Sequence, residues 1–100
     1  MNRFGEKVRK LREDNKLLLR QLASKLDIDS AQLSKIERGE RRAKREQVIE
    51  LAKLFKVDKE ELLSLWLAGK VYEVLKDENS AHCALKVAEK EISSNTKKKK

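Results

Sequence analysis

The sequence has no proline, three glycines, one cysteine and four aromatic residues in 100 positions. Each shortage excludes something. So little turn chemistry argues against a many-stranded β fold, and the abundance of Leu, Lys, Glu, Arg and Ala favours helix instead. A lone Cys83 can form no intramolecular disulfide, so nothing points to an oxidising compartment and a cytoplasmic protein is expected. The opening MNRFGEKVRK carries no apolar run. No stretch approaches the roughly 18 apolar residues a membrane helix requires, so neither secretion nor membrane insertion is expected. One histidine restricts general-base chemistry. No Ser-His-Asp spacing, glycine-rich phosphate loop or paired-carboxylate constellation stands out, so no catalytic residue, enzyme activity or cofactor is assigned. His82 and Cys83 are adjacent, point in different directions on a helix and lack a second ligand pair, which argues against a metal site.

What the chain does have is charge, 25 Lys and Arg against 17 Asp and Glu, for a net +8. Its distribution matters more than its total. Residues 1–29 carry +3, residues 30–45 carry +4, residues 46–96 carry −3 and the four C-terminal lysines +4. A basic first half opposed by a mildly acidic remainder is the footprint of a nucleic-acid binder; an anionic membrane surface or a merely solvated exterior would also suit charge alone.

Apolar spacing predicts the elements. Phe4, Val8 and Leu11 share one stripe of a first helix over about residues 3–13. Leu18, Leu19, Leu22, Ala23 and Leu26 form the inner face of a second, which stops near Asp27, a residue that tolerates the left-handed conformation. Asp29 is an N-cap with Gln32 three residues on, so a third helix begins at Ser30, buries Leu33 and Ile36, and ends at Gly39. Glu40 to Lys44 reads as a charged connection. Val48, Leu51, Ala52 and Phe55 mark a fourth helix. Asp58 with Glu61 caps a fifth, whose Leu62, Leu63 and Trp66 close the core, Trp66 as an anchor. Periodicity continues through Val71, Tyr72 and Leu75, breaks at Asp77 to Asn79, and resumes from Ser80 to Ile92, giving two further helices. Ser93 onward is polar and ends in lysines, so a disordered tail is expected. The organisation is therefore a domain at 1–67, C-terminal helices at 68–93, and a basic tail at 94–100.

The segment Leu22 to Gly39 has a mechanical meaning. Ala23 is small where two helices must approach, a short turn follows, and Leu33 and Ile36 hold the next helix against Leu22 and Leu26, which is a helix-turn-helix arrangement. With that face buried, Ser30, Ala31, Gln32, Ser34, Lys35 and Arg38 point outward. An α-helix fits the DNA major groove, where Gln pairs with adenine and Lys donates to guanine.

Leu22-Ala23-x-x-Leu26, then Leu33-Ser34-Lys35-Ile36-Glu37-Arg38-Gly39, and finally Val57-Asp58-x-x-Glu61-Leu62-Leu63 resemble the lambda-repressor/Cro-like (XRE-type) helix-turn-helix family over residues 4–63. The resemblance implies an all-α, five-helix lambda-repressor-like DNA-binding domain, here followed by the two additional C-terminal helices. It implies that Ser30, Ala31, Gln32 and Lys35 read bases, and that Arg38, Arg41 and Arg42 face phosphate. It also implies a pair between Arg12 and Glu37, for which an exposed contact of roughly 0 to 1 kcal/mol is the alternative. The sequence departs from the family pattern twice. Helix two usually opens with a polar phosphate contact, but here the position is Leu19, with Arg20 as the candidate substitute. The turn glycine is replaced by Asp27, which with Asp29 adds negative charge near DNA.

Lys25, Arg38, Arg41, Arg42, Lys44 and Arg45 place six cations in the motif and its following loop, and with Arg20 and Ser34 they supply the remaining phosphate-contacting candidates. One short recognition helix reads only a few base pairs, so a homodimer on two half-sites roughly 34 Å apart is expected, with Tyr72, Leu75, Leu85 and Ile92 as dimerisation candidates. The predicted function is a transcriptional regulator of repressor or restriction-modification controller type acting on double-stranded DNA. Nothing resembles a small-molecule sensor, and regulation through concentration-coupled dimerisation is expected. The competing reading is an antitoxin or other protein-interaction module that uses the motif as scaffold.

Overall fold

In the computed structural model, which describes the backbone of residues 3–98 and side chains as far as residue 95, the apolar stripes become six helices. They are α1 (Arg3–Asp14), α2 (Leu19–Lys25), α3 (Ser30–Glu37), α4 (Arg45–Phe55), α5 (Lys59–Leu75) and α6 (Ala81–Lys98). No strand occurs among the described residues. No helix among them is long and apolar enough to cross a membrane.

The ends of α1 to α4 are closed by one repeated device. A residue in the left-handed region follows each helix: Lys16 at φ 57°, Asp27 at 59°, Gly39 at 78° and Lys56 at 55°. The next amide then reaches back to a carbonyl five residues earlier, Leu17 to Arg12 at 3.0 Å, Ile28 to Ala23 at 3.0 Å, Glu40 to Lys35 at 2.8 Å and Val57 to Ala52 at 3.1 Å. This satisfies carbonyls that a helix end leaves unpaired. Leu17, Ile28 and Val57 also pack against the core, so an apolar contact locks three of the four turns. After α3 the corresponding residue is the exposed Glu40, and there the left-handed residue is glycine, which adopts that region without steric cost.

Residues 1–70 and 71–100 form separate compact units. In the first, Val8, Leu22, Leu33, Val48 and Leu62 are fully buried, with Leu51 and Trp66 beside them. In the second, α6 and the last turns of α5 leave Tyr72, Val74, Leu85, Val87 and Ile92 exposed.

Two boundaries differ from expectation. The first of the two additional C-terminal helices is a continuation of α5, which runs unbroken to Leu75 because nothing in Leu67-Ala68-Gly69-Lys70 breaks it and a single glycine costs only about 1 kcal/mol. α6 extends through residues 94–98, where a disordered tail is expected; an established helix propagates cheaply. Lys99 and Lys100 of that tail lie outside the described residues.

Candidate nucleic-acid interface

The candidate site is built on the crossing of α2 and α3. Ala23, 2% exposed, lets the two helices approach, and Leu22, Leu26, Leu33 and Ile36 fill the contact. Asp29 fixes the start of α3, its carboxylate accepting the Gln32 amide at 2.7 Å. At the other end, Arg12 grips the last residue of α3. Its Nε donates to Glu37 Oε2 at 2.8 Å and its Nη2 to Oε1 at 3.2 Å, while Nη1 donates to the Leu17 carbonyl at 3.0 Å. One guanidinium thus joins α1, the turn before α2, and α3. The side chains are only 14% and 6% exposed, so this is the enclosed, bidentate form of the pair rather than the exposed one. The Glu37 hydrogen bond raises the Arg12 pKa further above its ordinary value, against the opposing effect of burial.

With α3 held at both ends, Ala31 and Lys35 are exposed one turn apart, and Ser30, Gln32 and Ser34 are half-buried beside them. The four base-reading candidates therefore occupy one short helix. Arg38 is exposed but folds back, Nη2 lying 3.5 Å from Glu40 Oε1 and Nε donating to the Ser34 carbonyl at 3.4 Å. A phosphate would have to displace that exposed ion pair, which costs little.

On α2, Arg20 and Lys25 flank an open depression of about 600 Å³ whose other lining residues are Leu17, Gln21 and Ser24. Gln21 is already engaged, its Oε1 accepting the Leu18 amide at 2.7 Å. Leu19 packs against the core, so it leaves the phosphate-contacting role open, and Arg20 next to it is exposed. Arg41, Arg42 and Lys44 are exposed in the connection after α3, and Lys44 also starts α4 by donating its amide to Gln47 Oε1 at 2.8 Å. At the head of α5, Asp58 Oδ1 accepts the Glu60 amide at 3.2 Å.

Sequence reasoning missed two kinds of contact. Gln21 and Gln47 each stand three residues after a cap position, the spacing of a capping box, and could have been found by it. The indole of Trp66, read as a core anchor, also donates Nε1–H to the carbonyl of Ala43 at 2.8 Å, a partner 23 residues away that no local pattern reveals.

Residues 5–66 match the family described as helix-turn-helix domain. The chain is 39% identical over 75 residues to the HTH-type transcriptional repressor RghR of Bacillus subtilis (strain 168), covering 74% of this chain and 54% of that protein. It thus spans about half the length of that curated relative. Among solved structures, the restriction-modification controller protein C.AhdI from Aeromonas hydrophila is similar with a TM-score of 0.55 and 28% identity, over 61% of this chain and 88% of that one. The matched region holds both helices of the motif, their caps and the Arg12–Glu37 pair, and the chain belongs to the helix-turn-helix domain family, in its lambda-repressor/Cro-like form.

Proposed function

We propose that the protein is a sequence-specific DNA-binding transcriptional regulator, of repressor or restriction-modification controller type, that acts by binding rather than catalysis in the cytoplasm. The observation that carries this reading is the rigid presentation of α3: capped by Asp29, held by Glu37, and exposing Ala31 and Lys35 between the cations of α2 and those of the following connection. Ser30, Ala31, Gln32 and Lys35 enter the major groove and read base edges, and Arg20, Lys25, Ser34, Arg38, Arg41, Arg42 and Lys44 hold the backbone. The similarity to a protein named a transcriptional repressor and to one named a controller supports the same assignment. The functional unit is a homodimer, because α3 has only eight residues and cannot span a useful operator alone.

Selection of bound duplexes from a random pool tests this, since it yields half-site, spacing and symmetry together. Two related half-sites about one helical turn apart are expected, with binding whose log-log salt slope steepens by about 0.9 for each cation–phosphate contact, to about −11 when the six cations of both protomers engage. Gln32→Ala relaxes base preference, whereas Arg38→Ala weakens binding to all sequences alike. Absence of salt-sensitive binding at micromolar protein overturns the proposal, and a purely base-specific effect of Arg38→Ala overturns its role.

A further inference from the structure

The basic connection after α3 is held from behind by one side chain. Trp66 is 5% exposed and the only tryptophan. Its Nε1–H binds the carbonyl of Ala43, itself 4% exposed and set between the exposed Arg42 and Lys44. The same indole carries two cations, Lys70 Nζ at 3.9 Å and Arg45 Cζ at 5.3 Å from the ring centroid. Arg42 comes to the same helix, because a Cβ placed on Gly69, next to Lys70, would meet Arg42 Nη1 at 4.0 Å.

The choice of an aromatic ring has an electrostatic consequence. A carboxylate would position a cation and cancel its charge. An indole face attracts a cation through its quadrupole and leaves the full positive charge available to an anion. Among the described residues the ion pairs are made elsewhere, by Arg9, Lys10, Arg12, Arg38 and Lys76. Arg42, Arg45 and Lys70 are thereby gathered with their charge intact beside the loop that leaves the recognition helix.

Resting on the DNA-binding reading above, we propose that Trp66 is a positioning residue that extends the phosphate grip: it fixes Arg42 and adds Arg45 and Lys70, and the three hold the sugar-phosphate backbone flanking each half-site. The Trp66–Ala43 hydrogen bond sets where the loop carries Arg42, and the ring sets where Arg45 and Lys70 stand. The grip adds affinity without base preference, since phosphate contacts carry no sequence information directly.

The test is fluorescence anisotropy of a labelled duplex titrated with the full chain, repeated between about 50 and 200 mM salt. Lys70→Gln and Arg45→Gln should each reduce the magnitude of the log-log salt slope by about 0.9 per protomer, equally on selected and random duplexes. Trp66→Phe keeps an apolar ring but lacks the N–H; with helicity by circular dichroism unchanged, it should reduce the slope by about 1 or more. If Trp66→Phe fails to fold, the two cation variants decide. Salt-sensitive wild-type binding with unchanged slopes in both cation variants overturns this proposal alone, as does a shift in base preference. Wild-type binding that is absent or insensitive to salt overturns the DNA reading and this grip together.

Discussion

Leu18 occupies the N-cap of α2, with extended dihedrals of φ −74° and ψ 156°, yet its side chain has no acceptor to offer the first turn. Half of it is exposed to solvent, at 50%. Gln21 supplies the reciprocal half of a capping box by accepting the Leu18 amide, so the backbone is already shaped for a polar cap. Leu18→Ser should therefore raise stability by about 1 kcal/mol, a rise in melting temperature of roughly 4–8 °C for a domain of this size. Thermal unfolding at fixed protein concentration checks it; an unchanged or lower melting temperature means that Leu18 contributes apolar contact worth as much as the missing cap.

The placement of α3 rests on tertiary contacts, the buried Leu33 and Ile36 together with the Arg12–Glu37 pair, because an eight-residue helix is too short to be stable alone. Arg12→Met leaves a carboxylate buried without its bidentate partner and should cost about 2–4 kcal/mol. It would appear as a lower urea midpoint with an unchanged slope. Pairing it with Glu37→Leu removes the buried carboxylate as well and should recover most of the loss; a double variant as unstable as the single one would mean the pair is not what positions the helix. Arg12 is held above its ordinary pKa, so its contribution is fully present below that ordinary value and is lost only as pH rises through the raised one, in strong alkali. The pair's guanidinium side adds no pH dependence near neutrality.

At the scale of the whole molecule, the proposed homodimer needs a self-association surface, and the C-terminal unit offers one. Tyr72 is 46% exposed, Leu85 44% and Ile92 64%, with Leu75 half-buried, and Val71, Val74 and Val87 are exposed on the same two helices. Such a concentration of exposed apolar side chains in a chain with 42% charged residues suits a self-association surface. Leu85→Glu combined with Ile92→Glu should convert a dimer into a monomer by sedimentation velocity. The same variant should weaken binding to a two-half-site duplex at least tenfold while leaving a single half-site unaffected. A wild-type chain that sediments as a monomer at tens of micromolar removes the dimer from the proposal. The unfolding temperature should also rise with protein concentration, as mass action requires of an associating fold.

Much of this was legible in the sequence alone, because helix stripes, caps and turn residues are local. Phe4 and Val8, Leu33 and Ile36, and Leu62, Leu63 and Trp66 announce their burial by spacing, and Asp27, Asp29 and Gly39 announce the turn of the motif and its end by their backbone preferences. The span of α5 was less legible, since a lone Gly69 does not say whether a helix stops, and the helical course of residues 94–98 depended on propagation from α6 rather than on their own composition. The left-handed turns at Lys16 and Lys56 were also invisible, lysine having no preference for them; the apolar residues after them, docking on the core, decide that geometry. What only the tertiary structure decided was where long polar side chains end. Local pattern places Arg12, Trp66 and Lys70 on helix faces, but it takes the packed fold to bring Glu37 to Arg12, the Ala43 carbonyl to Trp66, and the indole to Lys70, because those partners are remote in sequence and become adjacent only when the core closes.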